Sequence, residues 1–195
     1  APNGWEADQH AAGLIPIKTS DIEECKLAAE SLRDHPIAGP ILTGEGRSEV
    51  TIVFDVDGIR CKARIDRVPD ETDYLADLKK TRDAQPGRWV DGKVDAYFQQ
   101  SKFAYQVKDM GYYIQAGLYL HGWNQVCPES PRTRWLNVCV EQDPPCKVMV
   151  YELEQAAIKL GLEEFKRLLK MLRKCEESDL WPGYPEKVEL IGLPK

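Results

Sequence analysis

The sequence predicts a mixed α/β fold (α+β) built around one central sheet, on three observations. A helical stripe ends at a proline, three β-rich segments follow one another through short polar turns, and the chain then alternates helix, strand, strand, helix. Ser20 and Glu23 have capping-box spacing, and Ile22, Cys25, Ala29 and Leu32 keep a helical period until Pro36, which sets the first helix. The eighteen residues before it hold Pro2, Gly4, Gly13 and Pro16 without a clear period and read as an irregular arm.

From Glu49 the pattern turns β-rich in Val50-Thr-Ile-Val-Phe54, and Asp57-Gly58 is a strong hairpin signal. Ile59 to Val68 returns as the second strand, Pro69 to Asp73 supplies the next turn, and Tyr74 to Thr81 gives the third strand of an antiparallel meander. A polar loop with Pro86 and Gly87 leads into an amphipathic stretch from Val94 to Trp123, with Gly111 a candidate break between two helices. Arg134 to Val140 and Lys147 to Leu153 read as strands separated by Asp143-Pro-Pro145, and Gln155 to Cys175 reads as the last helix. The Pro/Gly-rich tail, 178–195, is expected to be extended, and all 195 residues are expected to form a single domain.

A charged fraction of 30% beside a hydrophobic fraction of 43% is that of an ordinary globular protein, so a packed core is expected. No apolar run approaches the ~18 residues that span a bilayer, and the first residues lack a signal-peptide pattern, so a cytoplasmic protein without a membrane partner is expected. The net charge of −6 does not advertise a nucleic-acid binder, yet carboxylate metal ligands add negative charge to enzymes that act on DNA. Six cysteines stand without a Cys-x-x-Cys pair and read as reduced thiols. The three histidines have no zinc-ligand spacing and receive no role.

The chemistry concentrates in Cys61-Lys-Ala-Arg-Ile-Asp66 and Tyr74-Leu-Ala-Asp77-Leu-Lys79-Lys-Thr81. Along a strand Asp77 and Lys79 share one face, and pairing Val68 with Leu75 sets Asp66 opposite Asp77. Cross-strand neighbours lie about 5 Å apart, so both carboxylates can share a divalent ion with an ammonium beside them. A purely structural Asp77–Lys79 or Asp66–Arg64 salt bridge is the competing reading. Glu49 opens the first strand as a possible third carboxylate or as an exposed edge acid. Gln115 and Tyr119 stand at i and i+4 on a helix, able to hydrogen-bond a phosphate or base, with Tyr112 and Tyr113 nearby; a tyrosine stripe is more often half-buried core. Lys166, Lys170 and Arg173 interleave with glutamates and read as a solvated face.

Taken in order, Glu49, Asp66, Asp77-Leu78-Lys79 and Gln115-x-x-x-Tyr119 resemble the PD-(D/E)xK nuclease superfamily. With His35-Pro36, Gly111-Tyr-Tyr-Ile-Gln115 and Trp181-Pro-Gly-Tyr184, the chain looks like the RecE-type exodeoxyribonucleases of bacteria and prophages over nearly its whole length. The resemblance implies a restriction-endonuclease-like core and Mg²⁺-dependent hydrolysis, with Mn²⁺ as a substitute. It implies double-stranded DNA ends as substrate, digested 5′ to 3′ to leave 3′ tails for a single-strand annealing recombinase, by a homo-oligomeric ring. It assigns metal binding to Asp66, Asp77 and the Leu78 carbonyl, water activation to Lys79, and assistance to Glu49. Gln115, Tyr119 and Thr81 fall on the DNA-facing side. The family also carries an upstream helix with a histidine lining the metal site; this sequence is expected to lack it, and His10 and His35 do not match its setting. Two alternatives share the pattern: a CRISPR-associated iron–sulfur nuclease, which needs four clustered cysteines, and an inactive DNA-binding or assembly module of the same fold.

Overall fold

The computed structural model describes residues 4–87, 89–90, 93–94, 101–184 and 186–191. Three helices come first: α1 (Gly4–Ala11), α2 (Thr19–Asp34) and α3 (Ala38–Thr43). The long hairpin β1 (Gly46–Val56) and β2 (Ile59–Pro69) leads to β3 (Tyr74–Thr81), and a small ribbon joins β4 (Trp89–Val90) to β5 (Lys93–Val94). Helices α4 (Lys102–Asp109) and α5 (Tyr112–Val126), strands β6 (Arg134–Glu141) and β7 (Val148–Glu152), and α6 (Gln155–Ser178) complete the order.

Five strands form one sheet in the order β1-β2-β3-β6-β7. The first three are the antiparallel meander, β6 joins β3 in parallel, and β7 returns antiparallel, so the sheet is mixed. Ile52, Phe54, Ala63, Ile65, Leu75 and Trp135 pack beneath Ala116, Leu120 and Trp123 of α5 and Ile158 and Leu169 of α6. On the other face Ala76, Leu136, Val138 and Val140 meet Leu32 of α2 and Ala38 and Ile41 of α3. Burial of both faces explains why β6 is an almost continuous buried run instead of an alternating strand.

The arm expected to be irregular holds α1 instead. Its Gly4-Trp-Glu-Ala-Asp-Gln-His-Ala11 run contains good helix formers, and Gly13, at φ 74°, ends it with a conformation that glycine adopts freely. The capping box also fails to form: the N-cap is Lys18, two residues before Ser20, and the Ser20 hydroxyl donates to Asp21. A second helix, α3, follows Pro36; its first amides, from Ile37 and Ala38, donate to the His35 ring Nδ1. That histidine is therefore a cap. Of the expected 94–123 helix, Val94 lies in β5, 95–100 fall outside the described residues, and α4 and α5 meet at Gly111, whose φ of 68° makes the break.

Two buried arginines fix the strands that carry the site. Arg67 donates to Ile41 O, Gly44 O and Ser48 Oγ, tying β2 to the end of α3. Arg132 donates to the carbonyls of Thr72 and Pro69 and clasps the β2–β3 turn, with its guanidinium 5.9 Å from the Trp123 ring centre. Among the described residues neither pairs with a carboxylate. Backbone carbonyls, which would otherwise be buried without donors, take that place.

Strand alternation reverses once, at Glu49 and Asp66. Glu49 has φ 56°, and the ladder runs from Ser48–Arg67 to Val50–Ile65 without pairing the two residues between. On one side of this kink Ile52, Phe54, Ala63 and Ile65 face α5. On the other side Val68 joins the same core while Arg67 reaches α3. Strict alternation would put Ile65 and Val68 on opposite faces. The kink thus brings Asp66, next to Ile65, to the face that holds Asp77.

Candidate active site

Asp77 is the centre of the site and is only 2% exposed. Its Oδ1 accepts from Gln115 Nε2 at 2.7 Å, and its Oδ2 lies 2.6 Å from Lys79 Nζ. Lys79 also donates to Gln115 Oε1 at 2.9 Å, so Asp77, Lys79 and Gln115 form a closed triangle between β3 and the first turn of α5. The Lys79 ammonium sits 4.1 Å from the centre of the Tyr112 ring, a cation–π contact that fixes its remaining side. Oδ2 of Asp77 is shut away from water and has ionic contact with Lys79 but no well-directed hydrogen bond.

Burial pushes the Asp77 carboxyl above its usual range; Lys79 opposes this and the nearby Asp66 charge adds to it. The β2–β3 register passes through Arg67 opposite Ala76, which sets Asp66 level with Asp77. There the Asp66 carboxylate accepts the Leu78 amide proton at 2.9 Å. An Asp66 side chain takes the place of a ladder carbonyl, so the strands part around the two acids.

The other sequence candidates fall elsewhere. Glu49 forms an ion pair with Arg64 at 2.5 Å, with both side chains more than half exposed, so Arg64 is engaged by Glu49 and not by Asp66. Thr81, placed on the DNA-facing side, is buried: its hydroxyl is 2.8 Å from Gln106 Oε1, and it supports the site from within. Tyr119 packs edge-on against Trp135, with ring centres 5.8 Å apart, and belongs to the core. Of the helix pair, only Gln115 reaches the acids.

Two contributors had no distinct sequence signal. Gln106 of α4 joins Thr81 to the Tyr112 hydroxyl, donating at 3.3 Å, and so links β3 to the ring beside Lys79. Its partner lies six residues away across the Gly111 break, where no single helical period connects them. Asn137 of β6 is paired with Asp77 in the parallel ladder and is 1% exposed. A lone Asn within an apolar strand is the only hint it leaves. Cys139 of β6, the ladder partner of Lys79, has its thiol pushed up to about 12 by burial and is inert as a nucleophile at neutral pH.

The donor set suits a hard divalent cation. Two carboxylates and the Leu78 carbonyl offer oxygen only, and Mg²⁺ is commonly held by one or two carboxylates while keeping several waters. Among the described residues no three His, Cys, Asp or Glu side chains gather into an all-protein cage, so any ion here would keep positions open to substrate. The buried, undirected Oδ2 of Asp77 is the oxygen such an ion would satisfy. The same observation separates Cys25, Cys139, Cys146 and Cys175, which do not form a cluster. No helix among the described residues is long and apolar enough to cross a membrane.

The fold is shared with the crystal structure of an exonuclease candidate from Eubacterium rectale, at 12% identity and a TM-score of 0.67, covering 97% of this chain and 69% of that one. The crystal structure of SSO0001 is more distant, with 16% identity, a TM-score of 0.36 and coverage of 76% and 58%. No curated protein sequence matches the chain. Over residues 8–194 the chain matches the family described as a PDDEXK-like domain of unknown function (DUF3799), and it belongs to that family.

Proposed function

We propose that this protein is a divalent-metal-dependent nuclease that hydrolyses phosphodiester bonds at the ends of linear double-stranded DNA. The observation that carries the reading is the buried Asp77–Lys79–Gln115 triangle with Asp66 beside it. Burying a carboxylate and an ammonium is costly, and structural needs on this sheet are already met by an apolar core. A Mg²⁺ or Mn²⁺ ion held by Asp66, Asp77 and the Leu78 carbonyl would supply charge stabilisation at the phosphate and a more acidic water. Gln115 holds the Asp77 carboxylate in place from α5. Lys79 is held by Gln115 and the Tyr112 ring as well as by Asp77, so its ammonium would stay beside the site and could orient a water or bind a phosphate oxygen.

The finer features rest on the motif resemblance: resection from the 5′ end, 3′ tails passed to a strand-annealing recombinase, and a homo-oligomeric ring around the duplex. The description of the Eubacterium rectale structure as an exonuclease candidate supports cleavage from an end. The test uses linear duplex labelled separately at each end, with Mg²⁺ or EDTA. The expected result is metal-dependent loss of the 5′ label, abolished in Asp77→Ala and reduced at least a hundredfold in Lys79→Ala. Undiminished cleavage by Asp77→Ala would overturn the reading.

A further inference from the structure

Beside the acidic site lies a cavity of about 480 Å³ between α4, the strands β6 and β7 and the first turns of α6. Nothing in the proposed chemistry uses it. Its volume lies in the range of small-molecule sites, and its walls include Phe103, Tyr113 and Tyr151. The Phe103 and Tyr151 rings are stacked with centres 5.2 Å apart. Asn137 reaches it from β6, and Lys108 brings a cation to the lining.

The Asn137 amide gives the cavity its polarity. Its Oδ1 accepts from Trp135 Nε1 at 3.2 Å, and because an indole N–H can only donate, this contact fixes which end of the amide is oxygen. The NH₂ end therefore points away from Trp135, and among the described residues it makes no hydrogen bond, while Asn137 as a whole lines the cavity. A donor pair left free at the wall of a cavity can serve the acceptor of a ligand lodged there. The ligand must be flat enough to lie against aromatic rings and carry an acceptor on its edge.

Position narrows the ligand further. Asn137 is the β6 partner of Asp77, and adjacent strands lie about 4.8 Å apart. The cavity's amide donor thus stands one strand away from the acid at which the phosphate would be met. We propose that this cavity receives an unpaired nucleobase with a carbonyl edge from the strand whose phosphate lies at Asp77, with Asn137 Nδ2 donating to it and the aromatic walls covering its face. Base–aromatic stacking tolerates sequence, while the amide donor favours bases that offer a carbonyl. The inference rests on the nuclease reading for the strand's identity, but the cavity's affinity for a base does not depend on catalysis.

The test is therefore made without metal. Thymidine is titrated into the full chain and followed by tyrosine and tryptophan fluorescence and by calorimetry. Saturable binding is expected, weakened about tenfold or more by Asn137→Leu, the effect of one lost directed hydrogen bond with its stacking geometry. Because Asn137 is buried, Ala157→Phe is the second variant: it fills the cavity from α6 and leaves the Asn137–Trp135 bond in place. It is expected to abolish thymidine binding while melting normally. In the metal-loaded protein, Ala157→Phe should slow cleavage of duplex with a frayed end more than that of a single phosphodiester dinucleotide. Absence of thymidine binding by the wild type, or binding unchanged in a folded Ala157→Phe, would overturn the proposal even if the nuclease activity is found. Thymidine binding without nuclease activity would instead overturn the nuclease reading and leave the base pocket standing.

Discussion

Replacing Gly161 with alanine should damage the site from the far side of α5. Helices α5 and α6 touch backbone to backbone: an alanine Cβ at Gly161 would lie 1.9 Å from the Tyr113 carbonyl oxygen, where real Cβ atoms essentially never come within 3.0 Å. The two helices must therefore part by about 1.1 Å, and since both contacting atoms are near the main chain, no side-chain rotation relieves the clash. Tyr113 stands next to Tyr112 and two residues before Gln115. A shift of that size stretches the 2.7 Å Gln115–Asp77 bond to about 3.8 Å, beyond hydrogen-bond range. Overpacking costs about 1–3 kcal/mol, against which helix propensity returns about 1 kcal/mol on exchanging glycine for alanine. For a chain of this size the remaining loss lowers the melting temperature by several degrees. Catalysis should suffer more, because a displacement near 1 Å can cost about a hundredfold. Thermal unfolding and metal-dependent cleavage of the same preparation measure both, with Glu163→Ala, exposed on the same helix, as control. A Gly161→Ala protein that melts with the wild type and cleaves at full rate would refute the backbone seam.

Three further outcomes are expected. In metal-free protein Asp77 has a folded-state carboxyl raised above its ordinary 3.8, so its contribution favours the fold below that pH and is lost as pH rises through the raised value. Asp77→Asn should accordingly gain stability over the wild type between pH 4 and 8; a variant less stable throughout would show that pairing with Lys79 outweighs burial. Saturating Mn²⁺, at a hundred times its dissociation constant, should add about 2.7 kcal/mol, or roughly 5–10 °C in melting temperature. Asp66→Asn and Asp77→Asn should each remove that shift, and its persistence in both would place the ion elsewhere. Tyr112→Leu should lower cleavage about three- to thirtyfold, by loss of a cation–π contact of about 0.5–2 kcal/mol, whereas Tyr112→Phe keeps the ring and most of the rate; equal losses in the two variants would assign the effect to the hydroxyl that Gln106 bonds.

The meander and its register were legible because local rules govern them. Asp57-Gly58 sets the first turn, and alternation across Leu75, Asp77 and Lys79 fixes which side chains share a face, so Asp66 and Asp77 meet as their spacing requires. What the sequence hid depends on neighbours distant along the chain. The resemblance puts Thr81 and Tyr119 on the DNA-facing side, but Gln106 covers the first, and Trp135 receives the edge of the second in line with the half-buried reading of the tyrosine stripe. Glu49 reads either as a third carboxylate or as an exposed edge acid, and strand periodicity cannot choose between them; its backbone turns to φ 56° and leaves its side chain exposed with Arg64. The helices α1 and α3 were obscured by Gly4, Pro36 and Pro40, residues that usually punctuate loops but are tolerated in a first turn.

The kink at Glu49 and Asp66 divides the hairpin into two panels that answer to different selection. On the outer panel Ile52, Phe54, Ala63 and Ile65 meet only other apolar groups, so exchanges that conserve volume can drift with α5 as their judge. On the inner panel Asp66 and Arg67 are bound to Leu78 N and to the end of α3, where a change of shape or charge breaks a directed contact. Since the backbone changes parity between the panels, repacking one does not rotate the side chains of the other. The fold can thus renew its core while holding its acids in place.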